Sequence, residues 1–428
     1  MVALTELLLV AVMIARGVAD LSELSPALSP EGASYDPREF NVVEFGARGD
    51  GLSDDSQAFL AAWKRACHTE NATMLVPGGK AFVVNYLLLT GPCATNLRLK
   101  IDGIVLADTR DMIHWSNITT WISIARVYDF SVEGYGIIDG QGEEWWRISC
   151  RRNSSYACQK HPTAKFLILT LAWRLTQTKP FYRHCQSELR RTSQFRISIE
   201  ESSNVSIKGV EILAPHDSPN TDGIHLHMSN NVSIEKCIIG TGDDCISIAK
   251  NTSNVVIREI ICGPGHGISI GSLGRNKTPE FVSNVKVENS ILESTKYGLR
   301  IKTWQGGQGF ASNFSYYNVV MMNVLQPIII DQYYCDGNSS FSCGTEELDA
   351  VKVSNVSYSN IMGTSASSVA LRFQCSLGNP CYNLVLENVF LNLSNGSTPS
   401  AFCLNAFGQN KGLVVPNSCL NSSLAWQQ

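Results

Sequence analysis

Short stretches of alternating apolar and polar residues recur along this chain. The clearest set aligns on Ile224, Ile246, Ile268 and Leu299. Two residues later stand Leu226, Ile248, Ile270 and Ile301, all apolar, and between them His225, Ser247, Ser269 and Arg300, all polar. Two residues earlier stand Asp222, Asp244, His266 and Tyr297. A period of two over so few residues predicts a strand with one face turned inward. Stacked as parallel strands, these copies would bring acids, a histidine and basic groups into one column, with rungs roughly 4.8 Å apart.

A second pattern recurs beside the first. Asn-Val-x-Ile pieces begin at Asn204, Asn231, Asn254 and Asn284, with looser copies at Val351–Val353 and Leu384–Leu386. Strand signals at this interval, without a helical period, predict an all-β, single-stranded right-handed parallel β-helix. A sandwich would need hairpin turns, and Asn-Gly or Asp-Gly hairpin signals are sparse. Near the start, Phe40–Phe45 reads as a strand. Ser53, Asp54 and Asp55 then offer N-caps for a helix carrying Phe59, Ala62, Trp63 and Ala66 at helical spacing. Such a helix would cover the open end of the stack. Residues 165–192 break the pattern with an apolar run from Phe166 to Trp173, followed by Arg183, Arg190 and Arg191. An insertion loop, a distorted coil or an error in the gene model would each account for it.

Composition narrows the setting. The chain is 44% hydrophobic and 17% charged, with a formal net charge of -4, which argues against a nucleic-acid partner. Residues 1–19 read as a secretory signal peptide, with Leu7–Ala15 as its apolar run, and 20–39 as a linker. Residues 40–428 are then one β-helix domain, expected to work as a monomer, and no later run is long enough to span a membrane. The 14 cysteines lack metal-ligand spacing and predict disulfides. Proximity pairs Cys67 with Cys93, Cys150 with Cys158, Cys245 with Cys262, Cys375 with Cys381, and Cys403 with Cys419. Cys185 and Cys237 are among those it leaves unassigned. Sequons at Asn71, Asn117, Asn204, Asn231, Asn313 and Asn355 fit the same secretory setting.

The column itself suggests chemistry. Asp222, Asp243 and Asp244 fall one rung apart, and carboxylates so close repel, so at least one is expected to hold a proton near neutral pH. A protonated acid beside an ionised one can hydrolyse a glycosidic bond. His266 could share that proton, Arg300 and Lys302 could grip a sugar carboxylate, and His225 and His227 face the same way. Asp-Gly and Gly-Asp-Asp are also common turn sequences, and a single copy would be structural. Equivalent placement in successive repeats is what favours a site. Calcium is the competing use of clustered acids, but no ladder of oxygen ligands is visible and the nearby Lys and Arg oppose a cation.

Four segments together resemble the motifs of the polygalacturonases, glycoside hydrolase family 28, above all the secreted plant enzymes. They are Ser218–Gly223, Gly242–Cys245, Cys262–Gly267 and Arg300–Thr303. The resemblance runs from Phe40 to about Cys419. It implies a right-handed parallel β-helix and metal-independent, inverting hydrolysis of α-1,4-linked galacturonan in cell-wall pectin. It further implies Asp243 as general acid, Asp222 and Asp244 as the pair that activates water, and His266 as the histidine of the catalytic site. Asn220, Arg300, Lys302 and Tyr334 match substrate-binding positions. The irregular segment 165–192 departs from the family's regular coil, so a catalytically impaired wall-binding protein of the same fold is the alternative.

Overall fold

The computed structural model describes residues 36–110, 120–147, 166–169, 172–176, 188–190, 197–335 and 349–422. The predicted signal peptide, Asn117, Cys150, Cys158 and Cys185 lie outside them. Eleven strands, from Leu87–Thr90 to Ser400–Leu404, line up in sequence order in one sheet, and every pairing along it is parallel. The remaining strands wind round behind it in further parallel ladders. The result is a right-handed parallel β-helix, the hand that parallel crossovers take.

The repeats fall where their pattern requires. Ile224, Ile246, Ile268 and Leu299 are direct partners on successive rungs, and all are buried. On the neighbouring face, Val205, Val232, Val255, Val285, Phe314, Val356 and Leu384 form one buried column. That register corrects one expectation. The true copy near position 351 begins at Asn355, with Tyr358 in the place of Ile, while Val353 pairs with Ala311. Tyr316 and Tyr358 stack at 4.9 Å between ring centroids inside the core, so aromatic rings disguise two repeats that aliphatic residues reveal elsewhere.

The leading Asn of each repeat makes a corner. Asn204, Asn231, Asn254, Asn284, Asn313, Asn355 and Asn383 all hold φ between 54° and 63°, a region Asn tolerates better than other non-glycine residues. Their amides form a ladder along the outside. Asn284 donates to Asn254 at 2.9 Å, Asn313 to Asn284 at 3.3 Å, Asn355 to Asn313 at 3.2 Å and Asn383 to Asn355 at 2.7 Å.

At the N-terminal end, the helix Ser56–Cys67 buries Phe59, Ala62, Trp63 and Ala66 against the first coil. Its cap differs from the simple expectation. Asp55 occupies the N-cap position, but its carboxylate accepts from the Arg48 and Gly49 amides, and Asp54 accepts from the Ser56 amide. The stretch before it is likewise not one strand. Glu39–Asn41 is extended, then the Asn41 side chain accepts from the Val43 amide at 3.1 Å and Val42–Phe45 turns as a 3-10 helix.

Within 165–192, the strands Phe166–Leu169, Ala172–Thr176 and Glu188–Arg190 each pair in parallel with a neighbour on both sides. A register shift falls between Ala172 and Trp173. Four of the expected disulfides are present: Cys67–Cys93, Cys245–Cys262, Cys375–Cys381 and Cys403–Cys419. Cys237 is buried and its thiol points to the Glu235 carbonyl at 3.3 Å. Among the described residues no helix is long and apolar enough to cross a membrane.

Candidate active site

Two turns build the acid cluster. Ser218 and Thr221 hold one turn closed through their hydroxyls, 2.7 Å apart. The Gly242 amide donates to the Thr221 hydroxyl at 2.9 Å, which locks the turn of Asp222 onto the turn of Asp243 and Asp244. Only glycine fits at 242, because a side-chain carbon there would collide with the Ser218 carbonyl. The backbone ladder then continues through the site: Gly223 donates to Asp244 at 2.9 Å and His266 to Asp243 at 2.7 Å. Cys245, next to Asp244, is tied to Cys262 at the end of the same coil.

The side chains meet as follows. His266 Nδ1 lies 3.0 Å from Asp243 Oδ1. Asp244 is engaged at both oxygens: Ser269 donates to Oδ1 and Lys302 to Oδ2, each at 2.7 Å. Asp222 is buried beside both. Burial pushes the Asp222 carboxyl well above the usual carboxylate range, and the charges of Asp243 and Asp244 add to this more than Lys302 and Ser247 oppose it. Burial also pushes Asp243 upward. The His266 hydrogen bond and charge, Lys302 and the Asp244 amide together outweigh it and hold Asp243 below its ordinary value. The surroundings thus favour a proton on Asp222 over one on Asp243.

Arg300 and Lys302 point away from the core as the alternation requires, yet both are buried in the floor, at 6% and 8% exposed. Burial disfavours charge on Lys302, but Asp244 beside it holds the ammonium above its ordinary value. Lys302, expected to meet substrate, thus spends one of its three donors on Asp244. The Arg300 guanidinium lies over Tyr297 at 3.9 Å and over Tyr334 at 5.3 Å, and Tyr334 packs edge-on against Trp304. Asn220 sits in the turn two residues before Asp222 with φ 55°. His225 Nδ1 lies 2.7 Å from the Ser247 hydroxyl, and its ring stacks loosely on that of His227.

The structure brings Asp222, Asp243, Asp244, His266, Arg300, Lys302 and Tyr334 to one surface. Ser269 and Tyr297 were not singled out from the sequence, although both stand in the aligned column. Asp243, Asp244 and His266 offer donor atoms within 4.8 Å of one another, a spacing that could suit a metal ion. The Lys302 ammonium occupies one oxygen of Asp244 and His266 turns Nδ1 to Asp243, so neither donor is directed at a common centre.

A buried carboxyl pushed toward its protonated form, beside one held below its ordinary value on the floor of a parallel β-helix, is the equipment of a glycoside hydrolase. Residues 67–414 match the family described as Glycosyl hydrolases family 28. The chain is 42% identical over 385 residues to a polygalacturonase of Chamaecyparis obtusa, covering 89% of this chain and 72% of that protein. It is 40% identical over 378 residues to polygalacturonase-2 of Solanum lycopersicum, covering 88% and 80%. In fold it resembles the polygalacturonase of Erwinia carotovora, with a TM-score of 0.62 and 21% identity over 92% of this chain and all of that one. The endo-xylogalacturonan hydrolase of Aspergillus tubingensis gives 0.69 and 20%, over 87% and 98%. The chain belongs to glycosyl hydrolase family 28 and is a glycoside hydrolase.

Proposed function

We propose that this protein hydrolyses the α-1,4 linkages of polygalacturonan, the acidic backbone of pectin, with inversion, outside the cell and in the wall. The observation that carries the reading is the split within the acid cluster. Asp222 is buried and pushed toward its protonated form, a hydrogen bond joins Asp243 to His266, and Asp244 faces Lys302 and Ser269. Relatives named polygalacturonase support the substrate, and four disulfides support an oxidising compartment.

The steps follow from the positions. When a sugar chain enters, it expels water, and a dry site disfavours separated charges on Asp243 and His266. The shared proton then resides on Asp243, which passes it to the glycosidic oxygen as the bond breaks. A water on the other face of the ring attacks the anomeric carbon and gives its proton to Asp244. Asp222, still protonated, orients that water through its carbonyl oxygen. Arg300, in the floor beside Tyr297 and Tyr334, grips the sugar carboxylate with a planar fork.

The test is an assay on polygalacturonate with a chelator present. New reducing ends without unsaturated products are expected. Activity that needs calcium and yields unsaturated products would identify a lyase and overturn the reading.

A further inference from the structure

The sheet that carries the acid cluster continues past it toward the C-terminal end of the stack. Ser269, Arg300, Ile329, Arg372 and Phe402 occupy successive rungs of one outward column. Lys302, Asp331 and Gln374 occupy the column beside it. Arg372 therefore stands two rungs beyond Arg300, roughly 9.6 Å along the axis at about 4.8 Å per rung.

Arg372 is placed as Arg300 is. Its guanidinium lies 5.5 Å from the Phe402 ring, and one terminal nitrogen donates to Gln374 Oε1 at 3.3 Å. Its Nε is buried without a hydrogen-bond partner, as is the Nε of Arg300. Among the described residues neither arginine forms an ion pair, whereas Arg110 and Arg258 both do. The nearest carboxyl in the column, Asp331, is pushed up by burial against the pull of the Tyr333 amide, Arg300 and Arg372, and it accepts from the Tyr333 amide. A guanidinium set into the floor without an ion-pair partner is suited to receive an anion.

We propose that Arg372, with Gln374 and Phe402, forms a second carboxylate subsite, which takes the acid group of a uronate sugar further along the chain held at Arg300. The proposal rests on the reading of an anionic sugar polymer as substrate. A pyranose ring advances roughly one rung, so Arg300 and Arg372 would meet carboxylates two sugars apart. Ile329, between them, offers no charge to the intervening sugar. Phe402 supplies an apolar face for the ring that Arg372 anchors.

The test is binding, measured by calorimetry in an Asp243→Asn background so that the chains stay intact. Galacturonate oligomers of increasing length are compared with and without Arg372→Gln. Affinities should agree for the shortest oligomers. Once a chain spans both arginines, the variant should fall behind by roughly 10- to 150-fold, the worth of a charge-assisted contact. Arg372→Lys, which keeps the charge and loses the fork, should fall between. A second comparison leaves Arg372 intact: free-acid oligomers should gain affinity at that length and methyl-esterified ones should not. An equal loss at every length, no loss at any length, or the same gain for esterified oligomers would overturn the subsite. Turnover of the unmodified protein is read separately. A protein that binds in this length-dependent way without hydrolysing polygalacturonate would keep the subsite and lose the catalytic reading.

Discussion

At the scale of single residues, burying Asp222 beside two other acids bears on folding as well as on catalysis. Its folded-state pKa lies well above the usual carboxylate value, so between the two values the folded protein binds more protons than the unfolded one. Stability from this group is then fully present at low pH and declines as pH rises toward the folded pKa. Asp222→Asn removes the titration and keeps the shape. The variant should be more stable than the parent near neutral pH, with the gap closing in acid, while hydrolysis falls by at least about 10²-fold. Melting temperatures of variant and parent at pH 4 and pH 7 check the first part; a difference between them that is the same at both pH values would show that Asp222 does not titrate with a raised pKa. Lys302→Ala should do the opposite. It leaves Asp244 buried without its cation, a loss of about 3–5 kcal/mol for a broken buried pair. It should also lower kcat at saturating substrate if Asp244 takes the proton of the attacking water as proposed. Denaturant midpoints and saturation kinetics on one preparation separate this from a pure loss of substrate affinity, in which KM alone would move. Asp244 and Lys302 were both legible from the aligned column, but their contact was not. They are 58 residues apart. Alternation reports which face a side chain leaves by, not whether a group two rungs away will claim it.

At the scale of the element, the repeat Asn-Val-x-Ile was legible because two of its positions are inward and one is a corner. Its weaker copies were missed for the same reason: Phe314, Tyr316 and Tyr358 fill inward positions with rings, and hydropathy patterns count Tyr as half polar. The Asn corner gives a prediction independent of the core. Asn284 holds φ 57° and bridges Asn254 and Asn313. Asn284→Ala loses two ladder hydrogen bonds and puts in a left-handed conformation a residue that tolerates it less well than Asn, which together should cost about 1–3 kcal/mol. Asn284→Gly loses the same bonds but adopts that conformation freely. Glycine should therefore be the milder of the two in a urea titration. If alanine is the milder, the corner depends on the ladder and not on its backbone angle. The turns of the site were less legible. The pattern marks Asp222 and Asp244 as strand entrances. It does not say that Thr221 will reach Gly242 and draw those entrances together.

At the scale of the whole molecule, a parallel stack has two open ends, and each coil is stabilised only through its neighbours. The helix Ser56–Cys67 closes one end. Trp63 is its largest buried side chain; it donates to the Thr90 carbonyl at 3.2 Å, packs edge-on against Phe130, and is followed by the Cys67–Cys93 link. The acid cluster lies far along the same sheet. From Leu87–Thr90 the order passes through the strands at Ile122, Phe166, Ile197 and Ile224 before it reaches Ile246. Stability and chemistry are thus set at different places in one stack, and a change at the cap should reach the site only by unfolding what lies between. Trp63→Ala leaves a large cavity and removes a hydrogen bond, a loss of about 3–5 kcal/mol. The denaturant midpoint should fall accordingly, and the transition should broaden as the first coils melt ahead of the rest. At temperatures where circular dichroism shows the variant folded, KM and kcat on polygalacturonate should match the parent. A variant that stays folded but loses turnover would mean that strain at the cap is transmitted through the intervening rungs to Asp222 and Asp244, and that the stack behaves as one rigid body rather than as a row of neighbours.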